Sequence, residues 1–303
     1  MTEGVAPDRQ RWFGEGMAEF AHGYWWSNDG LRLHYRDWHG GEDGRPPILC
    51  LPGLTRNSRD FEELAARLAP AWRVIAVEFR GRGESAYAKD PMSYVPLTYV
   101  QDLDALIRHL GLTSYVSIGT SLGGLVTMLI AGAERERLKG VVLNDVGPAL
   151  ERAGLDRIRA YVGRGGSWPT WLHAARALAE VNGAIYPGFG IEDWLKMAKR
   201  LYRLSSSGRI VIDYDSRIAE PMRVPGGEAG MDMWPALQAL RHLPVLILRG
   251  ETSDILAPAT VQRMLAMLPG AEAVTVPGVG HAPHLTEPEA LAGIERLLAK
   301  VLR

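Results

Sequence analysis

The residues best suited to chemistry begin with Ser121, in the run Gly119-Thr120-Ser121-Leu122-Gly123-Gly124. A serine hydroxyl is a weak nucleophile near neutral pH and needs a base to take its proton during attack. Small neighbours on both sides permit a sharp strand-to-helix turn that lifts the hydroxyl out of a sheet. Read alone, such a serine could equally cap the following helix, so its partners decide. Among eight histidines, His281 lies in Gly278-Val279-Gly280-His281-Ala282-Pro283-His284, after the last predicted strand and before the last helix. That loop lets a side chain reach across the carboxyl edge of a sheet, and His281 is preferred as the base. His284 follows Pro283 and leads toward the helix, so it reads as a loop or capping residue. The histidine in turn needs a carboxylate to hold its tautomer and stabilise the imidazolium. Asp254 follows the apolar run 245–248, Asp145 stands at another strand end, and Glu251 shares the loop with Asp254. The residues leave these three open.

Composition removes competing functions. Of 303 residues 47% are hydrophobic and 23% charged, which excludes wholesale disorder. Lysine plus arginine (34) balances aspartate plus glutamate (35), without the basic excess of a nucleic-acid binder. A single cysteine, Cys50, excludes an internal disulfide framework and a Cys-based metal cluster. His281-x-x-His284 has no accompanying ligands, so no metal and no cofactor is expected. The N-terminus is charged throughout and has no apolar run suited to a signal peptide. No stretch reaches the roughly 18 apolar residues of a membrane span. The expectation is a soluble cytoplasmic chain with neither a membrane nor a nucleic acid as partner.

Short apolar runs must position these side chains. Residues 23–27 and 31–38 flank Asn28-Asp29-Gly30 and predict an antiparallel hairpin. Runs at 47–51, 73–79, 115–119, 141–144, 245–248 and 273–276 are rich in Val, Ile and Leu without polar alternation, as in strands buried on both faces. Three- and four-residue apolar spacing predicts helices over 61–68, 97–110, 121–133, 258–268 and 288–302. Between about 147 and 233 the alternation breaks, leaving helical stretches at 155–162, 171–181 and 191–204 and no parallel-strand run. The aromatics Trp168, Tyr186 and Trp194 in this segment suit either an apolar pocket or the core of a small helical unit. The pattern predicts an α/β protein with a mostly parallel central sheet flanked by helices and a helical cap insertion. Residues 1–147 and 233–303 form the expected core and 148–232 the expected cap.

With these motifs in place, the chain resembles the α/β-hydrolase-fold superfamily, and in particular its capped esterase-like members. The likeness spans the hairpin, the Leu51-Pro52-Gly53 loop, the Arg80-Gly81-Arg82-Gly83-Glu84-Ser85 turn, the Ser121 elbow, the cap, the acid turn and the histidine loop. The order Ser121, Asp254, His281 matches that architecture and selects Asp254 as the acid. The resemblance also implies an oxyanion hole from the backbone N–H groups of Leu54 and Leu122, although Pro52 replaces the family's usual histidine. The turn at 80–85 suits a structural loop supported by arginine contacts better than a nucleotide site, because Pro91 argues against a following helix. Arg56, Asn57 and Arg59 read as solvated surface or substrate contacts. The implied activity is carboxylic ester hydrolysis through an acyl-enzyme on a small-molecule ester or lactone. Lactone or carbon–carbon bond hydrolysis and a noncatalytic small-molecule receptor are the alternatives.

Overall fold

Strands β1 (Ala21–Trp26) and β2 (Arg32–Trp38) form the expected hairpin and pair antiparallel, leading into a sheet whose other strands run parallel to one another. The computed structural model describes residues 19–41, 44–134, 136–224 and 232–303. The N-terminal stretch read above for a signal peptide lies, through residue 18, outside the described residues. In chain order there follow β3 (Ile48–Leu51), α1 (Glu62–Leu68), β4 (Val74–Glu78), α2 (Pro96–His109), β5 (Tyr115–Thr120), α3 (Leu122–Ala131) and β6 (Leu138–Asn144). After a long excursion, α7 (Trp234–Gln238), β10 (Val245–Gly250), α8 (Pro258–Met267), β11 (Ala271–Val276) and α9 (Pro288–Val301) complete the chain. The eight-stranded order is β1-β2-β4-β3-β5-β6-β10-β11.

The apolar runs form strands because helices cover both faces of the sheet. Leu49, Leu51, Ile75 and Val77 face one core with Leu103 and Leu106 of α2 and Val126 of α3. Their neighbours Ile48, Cys50, Val74 and Ala76 face the other, against Leu64 and Leu68 of α1 and Ile294 and Leu297 of α9. Period-two alternation is therefore present, but both sides are apolar. Each fully buried Val, Leu or Ile contributes about 1.5–3 kcal/mol of transfer free energy.

The excursion between β6 and β10 holds α4 (Arg152–Tyr161), β7 (Ser167–Trp168), α5 (Trp171–Asn182), α6 (Ile191–Leu201), β8 (Tyr202–Leu204) and β9 (Ile210–Ile212). The three short strands make a separate antiparallel sheet, β7-β9-β8, so the segment is not purely helical as its sequence suggested. Strands of two or three residues are too short to display a periodicity. Tyr186, Trp194 and Ala198 belong to a small core of its own. The segment is tied to the loops at the carboxyl edge of the main sheet. Asn57 Nδ2 (3.0 Å) and Arg59 Nε (2.9 Å) donate to the Arg200 carbonyl at the end of α6. Gly83 N–H donates to Asp213 O at 3.0 Å, and Asp215 N–H to Gly81 O at 2.8 Å. Among the described residues, no helix is long and apolar enough to cross a membrane.

Candidate active site

Where β5 meets α3, Ser121 takes φ +51° and ψ −114°, a conformation L-residues rarely adopt. Close helix–sheet crossing imposes it. A Cβ on Gly119 would lie 2.5 Å from the Gly123 carbonyl, and one on Gly123 would lie 2.1 Å from Leu51 O. Only glycines let α3 start this close to β3 and β5. The turn is held by Ser121 N–H donating to Asn144 O (3.0 Å) and by Gly124 N–H donating to Ser121 O (2.9 Å).

The Ser121 hydroxyl lies 3.0 Å from His281 Nε2, and His281 Nδ1 lies 2.7 Å from Asp145 Oδ2. With the ring proton on Nδ1, that nitrogen donates to the carboxylate and Nε2 accepts from the serine. Asp145 is fully buried and has φ +54°. Its Oδ1 accepts Gly250 N–H at 2.8 Å, and Oδ2 also accepts the Ser253 hydroxyl at 2.6 Å. One carboxylate thus accepts three hydrogen bonds, which fix its orientation toward the imidazole.

The acid expected from chain order, Asp254, does not reach the imidazole. It forms a bidentate pair with Arg157 of α4, at 2.6 Å from Nε and 2.8 Å from Nη2. Burial opposes its charge, but the bonds and charge of Arg157 hold the Asp254 carboxyl below the usual range. The reason is sheet register. β6 lies beside β10 with Asn144 opposite Leu248, so Asp145 emerges at the carboxyl edge next to the histidine loop. The Asp254 loop instead turns outward to α4, where Gly154 N–H donates to Asp254 O at 3.1 Å. Glu251 accepts Gly278 N–H at 2.8 Å and serves that turn.

His284 keeps a loop role, its N–H donating to Glu287 Oε1 at 2.7 Å. Its ring packs 4.7 Å from Tyr186 and 5.3 Å from Phe189 and lines the cavity at Ser121. Burial, reinforced by Arg56 and Arg200, pushes this imidazole down to about 3.

Leu122 is the first residue of α3, and the first N–H groups of a helix have no intrahelical acceptor. The β3 loop that carries Leu54 runs beside the serine, since a Cβ on Gly53 would be 3.8 Å from Ser121 Cβ. Arg82 props this loop. Its guanidinium is fully buried and donates from Nε to Leu54 O (2.9 Å) and from Nη1 to Arg80 O (2.6 Å) and Tyr99 Oη (3.0 Å). Arg80 is chelated by Asp102 and Asp29, which makes the 80–85 turn the structural loop its sequence suggested. Asn144 had no signal beyond closing a strand. Its Nδ2 donates to Thr120 Oγ1 (3.0 Å) and Pro283 O (2.9 Å), tying the serine elbow to the histidine loop.

Ser121 and His281 open on a cavity of about 520 Å³, within the usual range for small-molecule sites. Arg56, Trp168 and Tyr186 line it, while Trp194 packs in the small core of the excursion. Among the described residues, no three His, Cys, Asp or Glu side chains gather to hold a metal ion.

A model of the alpha/beta hydrolase family matches residues 48–294. A 3-hydroxybutyrate-oligomer hydrolase of Cupriavidus necator is 34% identical over 271 residues, covering 86% of this chain and 90% of the relative. A 2-(acetamidomethylene)succinate hydrolase of Mesorhizobium japonicum is 29% identical, covering 80% of this chain and 84% of its own. The crystal structure of an alpha/beta hydrolase from Novosphingobium aromaticivorans superposes with a TM-score of 0.89 at 57% identity, covering 94% of this chain and all of that one.

Proposed function

Since this chain belongs to the alpha/beta hydrolase family, we propose that it is a serine hydrolase that cleaves small-molecule carboxylic esters through an acyl-enzyme. The observation that carries the reading is the continuous hydrogen-bonded chain Ser121 Oγ, His281, Asp145. In the proposed reaction His281 Nε2 takes the Ser121 proton as Oγ attacks the ester carbonyl. The N–H groups of Leu54 and Leu122 receive the developing oxyanion, where one well-placed donor contributes about 2.7–4 kcal/mol. His281 then returns the proton to the leaving alcohol, and it activates water to release the acid. Asp145 holds the imidazole with Nε2 toward the serine. Residues 148–232 act as the cap over the entrance.

Ester cleavage is favoured because an alkoxide leaves more readily than an amine. The name of the Cupriavidus relative supports it, since an oligomer of a hydroxy acid is joined through hydroxyl and carboxyl groups. A lactone presents the same carbonyl with the leaving group tethered. The test pairs fluorophosphonate labelling with an ester and lactone panel on the wild type and Ser121→Ala. Labelling and turnover that both vanish in Ser121→Ala are expected. A wild type that neither labels nor turns over any ester refutes the reading and favours a small-molecule receptor.

A further inference from the structure

We propose that the substrate carries a free carboxylate at the end remote from the scissile ester, and that Arg164 receives it. This rests on the ester-hydrolase reading and names its substrate class. Apart from the two histidines, four ionisable side chains of fixed charge at neutral pH line the cavity: Arg56, Asp60, Arg157 and Arg164. Three of them are spoken for. Arg56 holds Asp60 through Nε (2.5 Å) and Nη2 (2.7 Å), and Arg157 holds Asp254 through two bonds of its own. The fourth differs, because no carboxylate among the described residues pairs with Arg164, which is exposed at the cavity wall.

The two ion pairs cancel, so the wall keeps one uncompensated positive charge, at Arg164. His284 adds none, since its imidazole is neutral at physiological pH. The lining also carries aromatic and aliphatic side chains, among them Tyr161, Trp168, Leu178 and Tyr202. A serine nucleophile, apolar lining side chains and a guanidinium without a carboxylate partner in one cavity fit an ester whose other end is anionic. A guanidinium presents a planar fork that matches a carboxylate.

Arg164 is also positioned. It lies three residues past the end of α4, and its N–H donates to Tyr161 O at 3.1 Å. On one side Gly163, at φ +76°, packs so tightly that a Cβ would lie 2.6 Å from Ala219 Cβ. On the other, a Cβ on Gly166 would lie 2.2 Å from the Trp168 ring. The loop is seated on both sides of the arginine.

The test compares monomethyl and dimethyl esters of succinate, glutarate, adipate and pimelate. Its readout is the ratio of kcat/KM for each half-ester over its diester. The wild type is expected to favour the half-ester by about five- to tenfold at its best chain length, the range for a partly exposed charged hydrogen bond. In Arg164→Gln the ratio falls toward one, in Arg164→Glu it falls below one, and Arg164→Lys keeps part of it. Arg223→Gln removes a second guanidinium near Gly163 and should leave the ratio unchanged. A wild type that cleaves diesters without favouring half-esters overturns the proposal and leaves ester hydrolysis standing. So does a ratio that survives Arg164→Gln, or one that falls equally in Arg223→Gln. A wild type inert toward both members of every pair and toward the fluorophosphonate overturns both readings.

Discussion

Replacing Asp145 with asparagine tests the acid that the geometry puts in place of Asp254. The carboxylate accepts Gly250 N–H on Oδ1, and both the Ser253 hydroxyl and His281 Nδ1–H on Oδ2. Asparagine has the same shape but only one acceptor oxygen. If that oxygen keeps the Gly250 N–H, the NH2 faces the imidazole, whose Nδ1 must then accept. The ring proton moves to Nε2, and no lone pair is left for the Ser121 proton. If the amide turns over, its NH2 meets the Gly250 N–H in a fully buried site. Either arrangement disables the base. The wrong tautomer in a Ser-His-Asp enzyme costs about 10⁴ in kcat, or about 5 kcal/mol of barrier. The expected result for Asp145→Asn is a fall of about 10³–10⁴ in kcat with KM little changed, measured on a chromogenic ester. Asp254→Asn breaks only a partly exposed pair worth up to about 1 kcal/mol. It should stay within about threefold of wild-type kcat and melt a few degrees lower. An Asp145→Asn enzyme retaining more than about a tenth of wild-type kcat would refute the reasoning, as would a loss of about 10³ in Asp254→Asn.

Two further substitutions probe the surroundings. Burial, with Arg56 and Arg200 reinforcing it and Asp60 and Asp193 opposing, pushes the His284 imidazole down to about 3 in the folded chain, from an ordinary 6.5. As pH falls below 6.5 the unfolded chain takes up a proton that the folded one refuses, so stability is present above 6.5 and is lost toward 3. Between pH 6.5 and 5 this amounts to up to about 2 kcal/mol, and His284→Phe should flatten that part of a melting-temperature profile. An unchanged slope contradicts it. Arg82→Met removes the buried donor to Leu54 O while keeping the aliphatic stem. It should lower kcat by about tenfold or more with a smaller change in KM, because the loop carrying one proposed oxyanion donor loses its prop. A folded Arg82→Met variant with wild-type kcat removes Arg82 from that role.

What the sequence reveals depends on whether a residue is part of a repeated pattern. The strands are legible because helices on both faces make every position apolar, as in Ile48–Leu51 and Val74–Glu78. The serine elbow is legible because helix packing demands Gly119 and Gly123. His281 is legible from its loop between the last strand and the last helix. The acid is not, because Asp145, Glu251 and Asp254 all follow strands, and one-dimensional order does not say which loop turns toward the histidine. β7, β8 and β9 are too short to register. Arg82 holds Leu54 and Asn144 holds Pro283, partners that lie far along the chain, and local spacing carries no trace of such contacts.

Placing the carboxylate after β6 divides the work between two strand ends. Asn144 and Asp145 are consecutive. The first holds Ser121 N–H, Thr120 and Pro283, and the second holds the imidazole. The end of β6 therefore sets the register among the proposed nucleophile, base and acid inside the sheet, where packing permits little movement. Asp254, relieved of that task, pins Arg157 and with it α4, whose last turn presents Tyr161 to the cavity and leads into the Arg164 loop. Changes along α4 should then alter which esters are accepted while the proton relay keeps its geometry. The same Asp254 placed on the imidazole would have coupled the two, since any shift of α4 would have moved the base.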